Sequence, residues 1–277
     1  SNGSLVKTGS AKLTLSGANT HGGSTTVNGG TLEAASGALA ATTSIFVNGG
    51  TLTAVDFHST ASLSLNATGR ATISGSNQTV GSVTNANASD ASLTFSNTAG
   101  RTIADSISGE GSTRFNSDAT ILNGISAGKV SVAGSLNSAI SGGSITAASL
   151  SSSAVSGGTV QVSGSADVSL MSNGSIAVQG AALSINHLSG GAVSLGTLTV
   201  LTVNEGAFGG VISGGGSLVK TGTSTLTLGG ANTFSGATTV NAGSLILTGA
   251  GVLANTGSIS VNGAVLEAVN YNPVAPL

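Results

Sequence analysis

Along almost the whole chain, single aliphatic residues alternate with Ser, Thr, Asn or Gly, as in Leu226-Thr227-Leu228, Val160-Gln161-Val162, Ile176-Ala177-Val178 and Leu183-Ser184-Ile185. A period of two is the mark of a strand that buries one face and exposes the other. No long stretch shows the three-and-four spacing of an amphipathic helix. The pattern therefore predicts an all-β chain of short strands separated by small polar residues.

Repetition says how those strands are organised. Residues 4–34 return at 217–247, 213 positions later, with every Leu and the Gly-Ala-Asn turn held in place. After one inserted residue the match continues at an offset of 214, pairing Gly37, Val47, Asn48, Gly49 and Leu52 with Gly251, Val261, Asn262, Gly263 and Leu266. A smaller unit lies inside each copy. Thr26-Val27-Asn28-Gly29-Gly30-Thr31-Leu32 reappears 20 positions later as Phe46-Val47-Asn48-Gly49-Gly50-Thr51-Leu52. That period suits one coil of a parallel β-helix, and Asn-Gly is expected to make the turn because both residues tolerate positive φ.

In the middle of the chain the runs Val160-Gln161-Val162, Val168-Ser169-Leu170, Ile176-Ala177-Val178 and Leu183-Ser184-Ile185 step forward by seven or eight residues, and three of them are expected to complete a coil. The expectation is a single parallel β-helix over residues 1–277, with coils of about 20 residues and so about 13 coils. Repeat cassettes occupy 3–55 and 210–269, with degenerate coils over 56–209. Each aliphatic packs mainly on its equivalents one coil above and below, so stability accumulates through many small interfaces. Pro273 and Pro276, in the tail from Tyr271 to Leu277, suit a chain leaving its ladder.

Composition removes several alternatives. With 277 residues but no Trp, no Cys, one Tyr and six Phe, the chain has little with which to fill a globular interior, so a thin core is implied. Seven scattered Lys and Arg against nine Asp and Glu give a net charge of −2, which argues against a nucleic-acid partner. The run from Lys220 to Glu267 has no ionisable residue between its ends, yet it never reaches about 20 consecutive apolar residues, so no membrane-spanning segment is expected. The start, Ser-Asn-Gly-Ser, lacks the basic and apolar regions of a signal peptide, and the chain reads as an excised or processed fragment.

Candidate chemistry is sparse. Gly124-Ile125-Ser126-Ala127-Gly128 fits the G-x-S-x-G pattern without a strand-to-helix context, and is read as a turn between coils. Asp56-Phe57-His58 could pair an acid with an imidazole, but its cassette counterpart is Asn270-Tyr271-Asn272, which points to an aromatic on the coil surface. His21 stands opposite Phe234 and reads as a turn side chain, and His187 has no nearby carboxylate in sequence. Three isolated His without Cys give no metal-ligand spacing, and no cofactor is expected. The densest charge is Arg101, Asp105, Glu110, Arg114, Asp118 and Lys129. Charges on a β-helix are expected to point outward or sit in loops, so these six mark either a solvated salt-bridged face or a displayed partner-binding loop.

The string Gly-Val-Ile-Ser-Gly-Gly-Gly-Ser-Leu-Val-Lys-Thr-Gly at 210–222, with the Gly-Ala-Asn-Thr-Phe-Ser-Gly that follows at 230–236, closely resembles the passenger-associated transport repeat of bacterial autotransporters. Gly3 to Leu32 resembles the same repeat, and Ile107-Ser-Gly-Glu-Gly-Ser112 echoes Ile212 to Ser217. The resemblance implies a right-handed parallel β-helix passenger, displayed on a Gram-negative outer membrane or released, with its C-terminal outer-membrane β-barrel outside this fragment. The long faces lined with Ser, Thr and Asn are read as those of a surface adhesin or self-association rod whose partners are like passenger chains or host and matrix surface molecules. A released toxin or receptor ligand, and a carbohydrate-active β-helix enzyme, are the alternatives; the enzyme would need clustered carboxylates that the spacing of the nine acids does not supply.

Overall fold

The computed structural model describes residues 2–57, 59–66, 68–126, 128–248, 252–253 and 256–268. Among these residues every regular element is a strand, and every strand pairing is parallel. The strands stack as a β-solenoid of about 14 turns of roughly 18 residues. The average turn is shorter than the cassette period because the cassettes and the middle differ. In the cassettes Leu5 pairs with Thr25 and Leu218 with Thr238, whereas in the middle Val160 pairs with the nearer Ile176.

The chain divides into two compact units. The first comprises Ser1–Ala139 with Gly143–Thr146. Its interior is built from columns of register partners. Leu32, Leu52, Ala71 and Leu93 form one, and Ala34, Ala54, Ile73, Phe95, Phe115 and Val132 form another, all nearly or fully buried. Where the second column reaches its largest members, the Phe95 and Phe115 rings stack with centroids 4.9 Å apart and planes 4° from parallel. Such a pair adds about 0.5–1.5 kcal/mol beyond its buried area.

The second unit comprises Ile140–Gly142 with Ala147–Leu277. Here the quoted runs alternate in their pairing: Val160-Gln161-Val162 lies against Ile176-Ala177-Val178, and Val168 lies against Ile185. Two of the runs, rather than three, are used per turn. The third side comes from the far end of a bent strand, where Leu170 and Met171 pair with His187 and Leu188. The same division is seen in the strand Val200–Phe208, which pairs with Ser217–Lys220 along its first part and with Thr225–Leu228 along its last.

The turns correct two readings of the sequence. Asn28 and Asn48 do not adopt positive φ; in that stretch it is Gly30 that does, at φ 63°. A side chain there would run into the backbone of the preceding turn, since a Cβ on Gly30 would meet the Ala11 carbonyl oxygen. The asparagines serve instead through their side chains. Asn48 donates to Asn28 (2.8 Å) and Asn66 to Asn48 (2.7 Å), an amide ladder repeated in the second unit where Asn262 donates to Asn241 (2.9 Å). Second, Phe57 is buried rather than displayed on the surface. Its backbone N–H donates to the buried Gln78 side chain, while His58, its counterpart segment Asn270-Tyr271-Asn272, Gly251 and the tail with Pro273 and Pro276 lie outside the described residues.

Candidate partner-binding surface

The polar residues that the two cassettes share fall into inward and outward sets. In each copy the sequence Ser-Leu-Val-Lys places Leu and Lys on the inner side of one strand. Lys7 is 6% exposed and Lys220 is 0% exposed, so the expectation that charges point outward fails at both. Each ammonium is held by main-chain carbonyls. Lys7 donates to Thr8, Gly9 and Gly29, and Lys220 to Thr221, Gly222 and Ala242. A buried charge is tolerated only with such compensation. Burial still pushes the Lys220 ammonium below the usual lysine range, with partial relief from Glu205.

Two threonines repeat with the same fidelity. Thr25 and Thr42 share a buried hydroxyl contact of 3.1 Å, as do Thr238 and Thr256, and the second threonine of each pair donates to a glycine carbonyl, Gly23 or Gly236. Asn19 and Asn232 donate to Gly17 and Gly230, each at 2.9 Å. The shared Lys and Thr therefore tie turns together from inside, whereas these two Asn bonds close within a single turn. His21, which replaces Phe234, lies half-buried with Nε2 2.9 Å from the Thr25 hydroxyl.

Outward residues line up across turns because the register is parallel. In the first unit one column runs Thr14, Glu33, Thr53, Thr72, Thr94, Arg114, Ser131. Lys12 reaches Glu33 at 2.9 Å and holds that carboxyl below the ordinary glutamate range. In the second unit His187 lies 3.4 Å from Glu205 on the next turn, a partner that the linear sequence hid. The Ser224 hydroxyl first, and His187 second, hold Glu205 below its ordinary value. Here the acid sits between the hydroxyl and the imidazole. A nucleophile relay needs the imidazole in the middle, next to the hydroxyl.

The six charged residues from 101 to 129 do not form one salt-bridged face. Arg101 and Asp118 are register partners on the strands Arg101–Ala104 and Asp118–Ile125, yet no ion pair joins any two of the six among the described residues. Asp105 accepts hydrogen bonds from Ser82 and Asn123, and Asp118 from the Ser135 N–H. Lys129 reaches outside the set to Asp90 at 3.2 Å. The side chain of Arg114, exposed on the strand Ser112–Phe115, has no ion pair or hydrogen bond among the described residues, and Glu110 is exposed in the turn before it. Arg114 and Lys129 do come together, lining a cavity of about 220 Å³ with Asp90, Ala91, Ser112, Ser131, Ser144 and Thr146.

Ser126 follows the strand Asp118–Ile125, its backbone N–H donating to the Ile107 carbonyl, and no imidazole among the described residues is bonded to it; Ala127 lies outside the described residues. No group of three or more metal-ligating side chains occurs among the described residues, and no helix is long and apolar enough to cross a membrane.

Parallel turns, a thin aliphatic core and two equivalent cassettes define a repeat β-solenoid. The family model for the passenger-associated-transport-repeat matches residues 5–34 and 218–247, one stretch within each cassette, and this is consistent with an autotransporter passenger domain. No curated protein and no solved structure matches the chain.

Proposed function

We propose that the chain is an adhesive passenger, displayed at or released from an outer membrane, that attaches through its outward polar columns to like chains or to host and matrix surfaces. The observation that carries this reading is the in-register column of hydroxyl and charged side chains from Thr14 to Ser131. Each position repeats at the strand spacing of about 4.8 Å, so a matching surface meets many weak donors and acceptors at once. Dense display turns such contacts into firm attachment, and a net charge of only −2 keeps repulsion between like chains low.

The test is clustering of beads coated densely with the chain, alone and mixed with beads carrying extracellular matrix. The reading predicts clustering in at least one mixture, weakened by Thr53→Asp combined with Thr72→Asp. Dispersed beads in every mixture would refute it and would favour a soluble ligand or a passive stalk.

A further inference from the structure

A cavity at the end of the outward column in the first unit gathers two cations, Arg114 and Lys129. Arg114 and Lys129 project from adjacent strands, Ser112–Phe115 and the strand beginning at Lys129, offset by two positions in register. Their Cα atoms are therefore about 8 Å apart, within reach of one small anion for side chains of this length. Arg114 spends its guanidinium on no described neighbour, and Lys129 has one exposed partner, Asp90. Around them stand the hydroxyls of Ser131, Ser144 and Thr146. The far wall is fixed, because the Ala91 N–H donates to the Ser112 hydroxyl and Ala91 holds φ at 49°, a conformation that non-glycine residues seldom adopt.

We propose that this cavity binds an acidic polysaccharide carrying one carboxylate per repeat unit. The carboxylate is shared by the Arg114 fork and the Lys129 ammonium, and sugar hydroxyls meet Ser131, Ser144 and Thr146. A planar guanidinium matches a carboxylate with two parallel hydrogen bonds. The charge inventory selects a sparsely charged polymer over a polysulfated one. Of seven Lys and Arg in the chain, Lys7 and Lys220 are buried and Lys12 is paired with Glu33, so no long basic track is left for densely spaced sulfates. The inference deepens the adhesive reading and rests on it, by giving one of its matrix partners a chemistry.

The experiment measures binding of the whole chain to immobilised hyaluronan, to the same polymer with its carboxyls reduced to alcohols, and to heparin. Binding to hyaluronan alone is expected, falling about tenfold or more in Arg114→Ala and in Lys129→Ala, since each removes a charge-assisted hydrogen bond. Asp90→Ala is expected to tighten binding by freeing Lys129. All three side chains are exposed, so an unchanged β spectrum is expected and serves as the folding control. Equal binding to the carboxyl-reduced polymer, stronger binding to heparin, or indifference to Arg114→Ala would overturn the proposal. Wild-type beads that cluster while the same preparation binds no hyaluronan would leave the adhesive reading standing and remove this one.

Discussion

Replacing Lys220 with Met probes the least expected feature of the fold. Methionine keeps most of the apolar stem and removes the ammonium, so the carbonyls of Thr221, Gly222 and Ala242 lose a donor while the core stays filled. At the low end of the cost of an unsatisfied buried group, about 1 kcal/mol each, the loss is about 3 kcal/mol. That is roughly a hundredfold in the local opening equilibrium. Because a stack of repeats opens in parts, the assay is amide hydrogen exchange over residues 217–247 rather than a single melting curve. Lys220→Ala should cost about 2 kcal/mol more by stripping further methylenes.

The same substitution has a pH signature. The folded Lys220 has a lowered pKa, while the unfolded amine titrates near its ordinary value of about 10.4. Between those two values the unfolded state binds more protons, so unfolding free energy rises with pH across that window. The wild type should show this rise and Lys220→Met should lack it. Full protection of 217–247 in Lys220→Met, with loss only in Lys220→Ala, would show that the stem packs and the carbonyl contacts contribute nothing.

Three further outcomes follow from the packing and the charges. Phe115→Ala removes one ring of the buried stack and should cost about 3–5 kcal/mol, read as faster proteolysis of the first unit with the second unit's exchange unchanged. Leu228→Asp puts an unpaired carboxylate at a 0% exposed position and should abolish exchange protection of Thr225–Leu228 and its partner Ser244–Leu247; normal protection would refute the register. Glu205 should titrate below the ordinary glutamate range by NMR, so the stabilisation it gives is complete above that range and is lost as pH falls through its lowered folded value. Ser224→Ala should move its midpoint up more than His187→Ala does.

Much of this fold was legible in the sequence because the physics that shapes a solenoid acts at two short ranges. Alternation places Leu226 and Leu228 inside, and the recurrence of Val27 as Val47 gives the turn, with both partners buried in register. The shorter turn that pairs Val160 with Ile176 was harder to read, since degenerate coils carry no repeated spelling to count. Lys220 is instructive. Alternation through Ser217-Leu-Val-Lys220 already puts the lysine on the inner side with Leu218, and the general rule that charges face water pointed the wrong way. What the rule leaves out is that a tight turn offers a ring of carbonyls to an ammonium.

The surface was less legible than the core. Lys12 with Glu33, and His187 with Glu205, are neighbours across one turn of the solenoid but distant along the chain, so a search among adjacent residues misses them. Arg114 and Lys129 were picked out by charge density alone, and it is the register of their strands that brings them to one cavity. Asp105 and Asp118 of that charged segment are held by separate polar neighbours.

Both functional proposals rest on the parallel register that creates the outward columns, and the chain's lack of cysteine allows a clean test of it. Thr53 and Thr72 are direct register partners on consecutive turns, whereas Thr53 and Ser74 are displaced by two positions. The first pair lies at about 4.8 Å between Cα atoms and the second at about 8 Å, and a disulfide closes only below about 7 Å. With cysteines at 53 and 72, mild oxidation should give a rapid intramolecular disulfide, and with cysteines at 53 and 74 it should not. Bridging of the second pair in preference to the first would contradict the register and remove the columns on which the account depends.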